Sequence, residues 1–296
     1  FSYQDTQEND TSVGGAEFAS AWYDTPLEVQ AYNVDWFSDW SDAWSTNVRV
    51  NYKENTRGQT CRGGPNVGQI TLDFEDLAGI AGSPLEGLLT EEGEFIAGCD
   101  SFRHANTFAD ERLQLFGKAD WFLGEHTVTF GMEYEDYSVQ NLFVANSRGN
   151  FTFETYDELV GRRGNVFYSN VPSNNALDGQ ADWSFDKLTA FVSDRWTITP
   201  DFELNFGFRW ESYGQSDRPP FSQEFNDLYG VNTTSNLDGK DIFLPRVGFL
   251  WTPIDRGALS GGFGLYAGGA PTVWVSNAFQ APVVGASGDF TRLRLD

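Results

Sequence analysis

Histidine and methionine are nearly missing from this 296-residue chain: His104 and His126 are its only imidazoles, and there is one methionine. A His-based triad or an imidazole metal site has little to draw on, so no catalytic residue is expected. Basic residues are scarce too, 19 against 43 acidic ones, for a net charge of −24. Such a chain repels nucleic acid and anionic headgroups, and no nucleic-acid partner is expected. It also lacks the run of about 18 apolar residues that a spanning helix needs. A spanning β-strand remains open, because that takes only about 9–11 tilted residues and alternation dilutes its hydropathy. The opening "FSYQDTQEND" matches neither a signal peptide nor a lipidation site. It reads as the middle of a strand, and the chain is expected to be part of something longer. Cysteine is limited to Cys61 and Cys99, whose spacing fits neither a CxxC redox pair nor a zinc pattern. A structural disulfide clasping a long loop is the expectation, and with it an oxidising compartment.

What the chain has instead is aromatics, 16% of residues, and 31 glycines, a mix that favours strands and turns. Strict alternation recurs along it. In "DFELNFGFRWESYG", Phe202, Leu204, Phe206, Phe208 and Trp210 hold one parity, while Glu203, Asn205, Gly207, Arg209 and Glu211 hold the other. Successive side chains of a strand point to opposite faces, so this is a strand with one apolar and one polar face. The same pattern sets Val48 and Val50 against Arg49 and Lys53, and Leu113 and Leu115 against Arg112 and Lys118. Val128 and Phe130 oppose Glu133 and Glu135; Val247 and Phe249 oppose Arg246; Leu259, Phe263 and Leu265 oppose Gly262 and Gly264. Two segments are less regular. "LEVQAYNVDWF" loses phase near Asn33, and "KLTAFVSDRWTI" sets Asp194 among apolar neighbours. Bulges, or strands leaving a bilayer, would account for both.

The connections alternate in length. Strands near 27–37 and 44–56, 107–122 and 126–143, 183–198 and 202–213, and 242–252 and 258–268 are each joined by a few residues. Between these pairs run long segments, 57–106, 144–182 and 214–241. In an up-and-down meander this rhythm places all short turns at one end and all long loops at the other, as in outer-membrane barrels. A sandwich has short strands every 8–12 residues or so, and a propeller repeats about every 40–50; neither spacing is visible here. Trp44, Trp121, Trp196 and Trp251 each fall near a short turn, where an aromatic girdle marks a membrane–water boundary. The expected fold is therefore all-β: an antiparallel up-and-down transmembrane β-barrel, partial, with roughly 8–10 strands of a larger one, short periplasmic turns and long external loops. The apolar parity named above is expected to face lipid, and the polar parity the lumen.

The segments "LFGKADWFLGEHTVTFGMEYEDYSVQNLF", "FVSDRWTITPDFELNFGFRWESY" and "FLPRVGFLWTP", followed by "LSGGFGLYAGGAPTVWVSNAF", resemble the barrel of TonB-dependent outer-membrane receptors. The hairpin around Thr199-Pro200-Asp201 that runs on to Gly207-Phe208-Arg209 is similar to a widespread receptor hairpin. The run Val273-Trp274-Val275-Ser276-Asn277 is similar to the Oar-like branch. The resemblance covers roughly 107–280. It implies a large barrel closed by an N-terminal plug, energised through TonB, with outer-membrane lipid and lipopolysaccharide as surroundings. No plug, TonB-contacting segment or regulatory-like domain is recognisable in these residues, and "TRLRLD" lacks a terminal aromatic. A middle slice of the barrel is the expectation, working in ligand uptake or surface binding, with no bond chemistry of its own.

Two acidic turns, "LDGQAD" with Asp178 and Asp182 and "LDGKD" with Asp238 and Asp241, are oxygen-rich candidates for calcium. Neither matches an EF-hand, and a plain polar turn is the alternative for each. Two rival readings of the whole remain. One is a small complete barrel acting as adhesin or porin, whose first and last strands would pair. The other is a secreted sandwich or propeller binding carbohydrate, whose apolar parity would be buried under protein.

Overall fold

The computed structural model describes every residue except 15–16, 65, 75–76, 90–92, 255, 269–271 and 291–296. One large sheet carries the chain's long strands: β1 (Ser2–Ser12), β2 (Tyr23–Ser41), β3 (Trp44–Gly58), β7 (Asn106–Leu123), β8 (His126–Phe143), β11 (Ala181–Thr199), β12 (Phe202–Gly214), β13 (Lys240–Ile254) and β14 (Gly257–Gly264). They lie side by side in that order, each antiparallel to its neighbours, with the short β4 (Thr60–Cys61) added beside β2. Because the order in space follows the order in sequence, the four short turns fall at one end. That end holds the links at 42–43, 124–125 and 200–201, and the one between the paired Ile254 and Gly257. The second of them depends on Gly124, whose φ of 59° an L side chain rarely adopts. At the next, the Asp201 carboxylate accepts from Thr199 Oγ1 at 2.6 Å, and its backbone carbonyl accepts from Thr252 N at 2.7 Å. The Thr199 hydroxyl's hydrogen bond holds the Asp201 carboxyl below the usual carboxylate range.

The sheet is open. β1 and β14 lie at its two edges and do not pair with each other among the described residues, so the small complete barrel is not what forms. Nor does a second layer cover the apolar parity, as a sandwich would require: Phe206 is 43% exposed, Phe208 41% and Val247 46%.

The long connections are the main departure from the sequence reading, because they are folded. The 59–105 connection carries β5 (Gln69–Phe74) and β6 (Gly93–Gly98); the 144–180 connection carries β9 (Asn150–Phe153), helix α1 (Tyr156–Gly161) and β10 (Gly164–Asn170). With β15 (Val284–Phe290) these make a second sheet in the order β15-β10-β9-β5-β6. Its β5–β9 pair is parallel, a link between two distant connections that local patterning does not announce. Leu72, Phe74, Ile80, Leu89 and Phe153 form its core. The third connection, 215–239, carries helix α2 (Gln223–Tyr229), capped by the Ser222 hydroxyl at its start and by Gly230 at φ 67° at its end.

Three smaller differences have physical causes. Pairing is unbroken at Asn33 and at Asp194, so no bulge lies at either; the register shifts fall beside the turns, at Asp39/Ser41 and Thr197/Thr199. Asp194 therefore does sit on the apolar parity, opposite Val128 and Phe206. Finally, β14 ends at Gly264 rather than near 268, which leaves Leu265 just outside it. Leu265 N still donates to Pro245 O at 3.0 Å, but proline has no N–H to return, so the ladder stops there.

Candidate functional site

The large sheet presents two faces of opposite chemistry. Directly paired residues share a face, so the registers can be read as rows across it. One row runs Trp36, Val48, Gly117, Met132, Ala190, Trp210, Phe243. Another runs Trp44, Trp121, Val128, Asp194, Phe206, Val247, Phe263. Every residue expected to face lipid on β3, β7, β8, β12, β13 and β14 lies in this set of rows, with Leu113, Leu115, Phe130, Phe202, Leu204, Phe249 and Leu259 among them. The result is an apolar belt, interrupted at Asp194, that no second layer of protein covers among the described residues; contiguous exposed apolar surface of this kind marks an interaction or membrane site. Trp44 and Trp121 are paired and stacked with centroids 5.1 Å apart. Trp196 lies one row nearer the turns, opposite Leu204, and Trp251 lies opposite Phe202 and Leu259. The four indoles thus follow the turn end in a staircase. In that region, among the apolar rows, His126 Nδ1 meets Asp194 Oδ2 at 2.7 Å while Trp196 stacks on the imidazole.

The opposite face is polar, and it is the better-buried one. Glu135 is 5% exposed, Glu211 4% and Thr189 0%. Lys187 sits opposite Glu135 and binds it at 3.0 Å, with Gln114 at 3.1 Å and Arg112 at 3.7 Å on its other side. Arg209 reaches Glu211 at 2.6 Å and Glu133 at 3.6 Å. Further along, Arg49 pairs with Asp35 and Lys118 with Asp120, both at 2.8 Å. Long charged side chains bury each other only where they converge, so this is the concave side of the sheet. Towards the turns it borders a half-open space of about 1030 Å³, whose lining includes Lys118, Asp120, Arg195, Asn205, Arg246, Tyr266 and several glycines. Arg246 lies over the Tyr266 ring, 4.6 Å from its centroid.

Towards the long connections the same concave face turns aromatic, which alternation alone left unassigned. Tyr137, Val139, Ala181, Trp183 and Phe185 form a buried cluster with Tyr213 and Phe279 against it. Helix α3 (Thr272–Phe279) covers this cluster, and Trp183 Nε1 donates to Ser276 Oγ at 3.0 Å. The run Val273-Trp274-Val275-Ser276-Asn277 therefore belongs to a helix seated in the mouth of the concave face. Val275 and Ser276 turn inward, while Trp274 is 73% exposed. A cue was present in sequence: Tyr137, Val139, Trp183 and Phe185 continue the polar parity of their strands, so apolar residues there needed a cover.

Cys61 and Cys99 are joined in a disulfide with Cα atoms 5.3 Å apart, tying β4 to the end of β6. The calcium candidates are dispersed among local partners. Asp178 accepts from Asn175 Nδ2 at 3.0 Å, Asp182 from Gln180 Nε2 at 2.8 Å and Asp238 from Gln215 N at 3.4 Å; Asp241 lies in β13 opposite Ser212. Among the described residues, no three His, Cys, Asp or Glu side chains gather as a metal cluster would require.

The family described as "Outer membrane beta barrel domain" matches residues 1–292. No curated protein sequence matches the chain. Among solved structures, the outer membrane transporter YddB from Escherichia coli is similar at 10% identity and a TM-score of 0.48, over 90% of this chain and 29% of that one. The ferric-catecholate import receptor Fiu from E. coli K12 is similar at 12% identity in its closed form, over 84% of this chain and 34% of that one, with a TM-score of 0.44. Its open form gives 12%, 84%, 36% and 0.42. The chain thus spans about a third of the length of these structures.

Proposed function

This chain belongs to the outer membrane beta barrel domain family, and on that premise we propose that it is one wall of a TonB-dependent receptor barrel that takes up or binds a ligand at the outer membrane. One observation supports the reading above others: the face without protein cover is apolar, and the face that converges is charged and ion-paired. A bilayer outside and a wet lumen inside account for that inversion. In this reading the belt meets lipid tails, the four tryptophans meet the periplasmic-side headgroups, and the folded connections stand outside the cell beside lipopolysaccharide. The concave face receives the plug, and α3 narrows the mouth above it. The Oar-like affiliation rests on the resemblance of residues 273–277. The wall's part is to frame the path and carry recognition loops; no bond is made or broken by its residues.

The experiment is retention of the full-length protein on the immobilised periplasmic domain of TonB, alongside heat-modifiable gel migration of the detergent-extracted protein. Both together are the expected result. Heat-modifiable migration without TonB retention would remove the energised reading and leave a passive barrel. Solubility without detergent would remove the membrane reading altogether.

A further inference from the structure

A second cavity, about 560 Å³, lies among the folded connections, outside the concave face. Thr107 and Leu142 line it, and they are paired on the parity that carries Phe130 and Met132 lower on the same strands. Its volume falls within the range typical of small-molecule sites. Its chemistry runs against that of the chain. In a protein with 43 acidic and 19 basic residues, the walls hold Arg103 and Arg148 and no carboxylate. Five asparagines, Asn66, Asn106, Asn170, Asn174 and Asn175, also line it.

The two guanidiniums differ. Arg103 is occupied: it donates to Gln59 Oε1 and to Tyr23 OH, lies 4.3 Å from the Tyr23 ring centroid, and has Asp100 at 3.8 Å. Among the described residues, Arg148 has no carboxylate partner, and its Nη1 reaches the Cys99 sulfur at 3.7 Å. That is a weak acceptor for a partly buried cation, and burial lowers its affinity for the proton. An anion delivered to it would relieve that desolvation with charge-assisted hydrogen bonds. Its position is held from behind. His104, 2% exposed, accepts the Arg148 amide N–H on Nδ1 at 3.0 Å and so carries its own proton on Nε2, which donates to Cys99 O at 3.1 Å. Asn106 spends its Nδ2 on Phe102 O and Asn174 its Oδ1 on Tyr168 OH, so each amide keeps one half that suits hydroxyl groups.

We propose that this cavity binds an anionic sugar, a carboxylate or phosphate on a hydroxylated ring, with Arg148 taking the charge and the asparagine amides taking the hydroxyls. The same chemistry is carried by soluble acidic saccharides and by the sugars of the surrounding lipopolysaccharide. The inference does not depend on transport.

The test uses the full chain in detergent. Calorimetry compares trigalacturonate with neutral maltotriose, and a phosphate assay measures lipopolysaccharide retained through purification. Binding of trigalacturonate in preference to maltotriose, weakened about tenfold or more in Arg148→Gln, identifies the soluble source. Lipopolysaccharide retention that falls in Arg148→Gln identifies the membrane source. Asn174→Asp guards against a folding artefact, since position 174 has φ 61°, which Asp tolerates, and its carboxylate repels the ligand where the fold is kept. It should weaken the same binding as Arg148→Gln does. Maltotriose binding as well as trigalacturonate overturns the proposal, as does either variant binding like the parent, or the parent retaining neither ligand.

Discussion

The reading of the two faces makes a depth-resolved prediction on β12. A strand rises about 3.3 Å per residue, and at a barrel tilt near 40° each residue climbs about 2.5 Å along the membrane normal. From the turn at 200–201, Phe202 then lies within about 3 Å of the turn, and Phe206 and Phe208 about 13 and 18 Å above it. With an apolar band about 25 Å tall starting near Phe202, those two rings straddle the midplane. Arginine at either should cost about 2–4 kcal/mol, and arginine at Phe202 about 0–1 kcal/mol. If water surrounded the belt instead, Phe206→Arg, at a position already 43% exposed, would stay within about 0.5 kcal/mol. The assay is reversible folding into phospholipid vesicles, followed by heat-modifiable migration, for Phe202→Arg, Phe206→Arg, Phe208→Arg and the inward Asn205→Arg. The reasoning fails if the cost does not peak at Phe206 and Phe208, or if Asn205→Arg costs as much as they do.

Other consequences can be checked separately. Ser276→Ala leaves the buried Trp183 N–H without its acceptor, at a cost of about 1–3 kcal/mol, and amide exchange across α3 should quicken while β12 is unchanged; equal protection in both proteins would refute the role given to that bond. Replacing Cys61 and Cys99 by serine releases a closure with a sequence separation of 38 residues, worth about 3–4 kcal/mol by chain entropy. Protease should then cut the 59–105 connection first, and a digestion pattern like the parent's would contradict a stabilising clasp. Burial depresses the proton affinity of His104 below its ordinary value. The unfolded chain therefore takes up that proton first as pH falls, and stability from the neutral imidazole, complete above about pH 6.5, is lost below it. Protection of the Arg148 amide should fall over that range in the parent, and His104→Gln should flatten the dependence; an unchanged slope would show that His104 is not the titrating group.

The large sheet was legible in sequence because its strands are long and one-sided. Phe202 to Trp210 alternate without a break, and Gly124 and Thr199-Pro200-Asp201 mark reversals that the backbone follows. Asp194 among apolar neighbours suggested a bulge or a strand leaving the bilayer; the register instead keeps it on the apolar parity, where it meets His126. The second sheet was hidden because its strands, four to seven residues long, draw their partners from segments far apart, such as Gln69–Phe74 against Asn150–Phe153. Short strands carry too little periodicity to stand out, and nothing local encodes a parallel partner some eighty residues away.

By itself, then, the order of residues determined the alternation, the place of each tight turn and the division into an apolar and a polar parity, since these follow from backbone geometry over a few neighbours. Only the tertiary structure decided which parity lost its water. Curvature draws Glu135, Lys187, Arg209 and Glu211 together into mutual burial while leaving Phe206 and Val247 uncovered. It also decided that α3 closes over Trp183 and that Arg148 ends beside a sulfur rather than a carboxylate. Both depend on segments meeting across long stretches of chain, which no local pattern records.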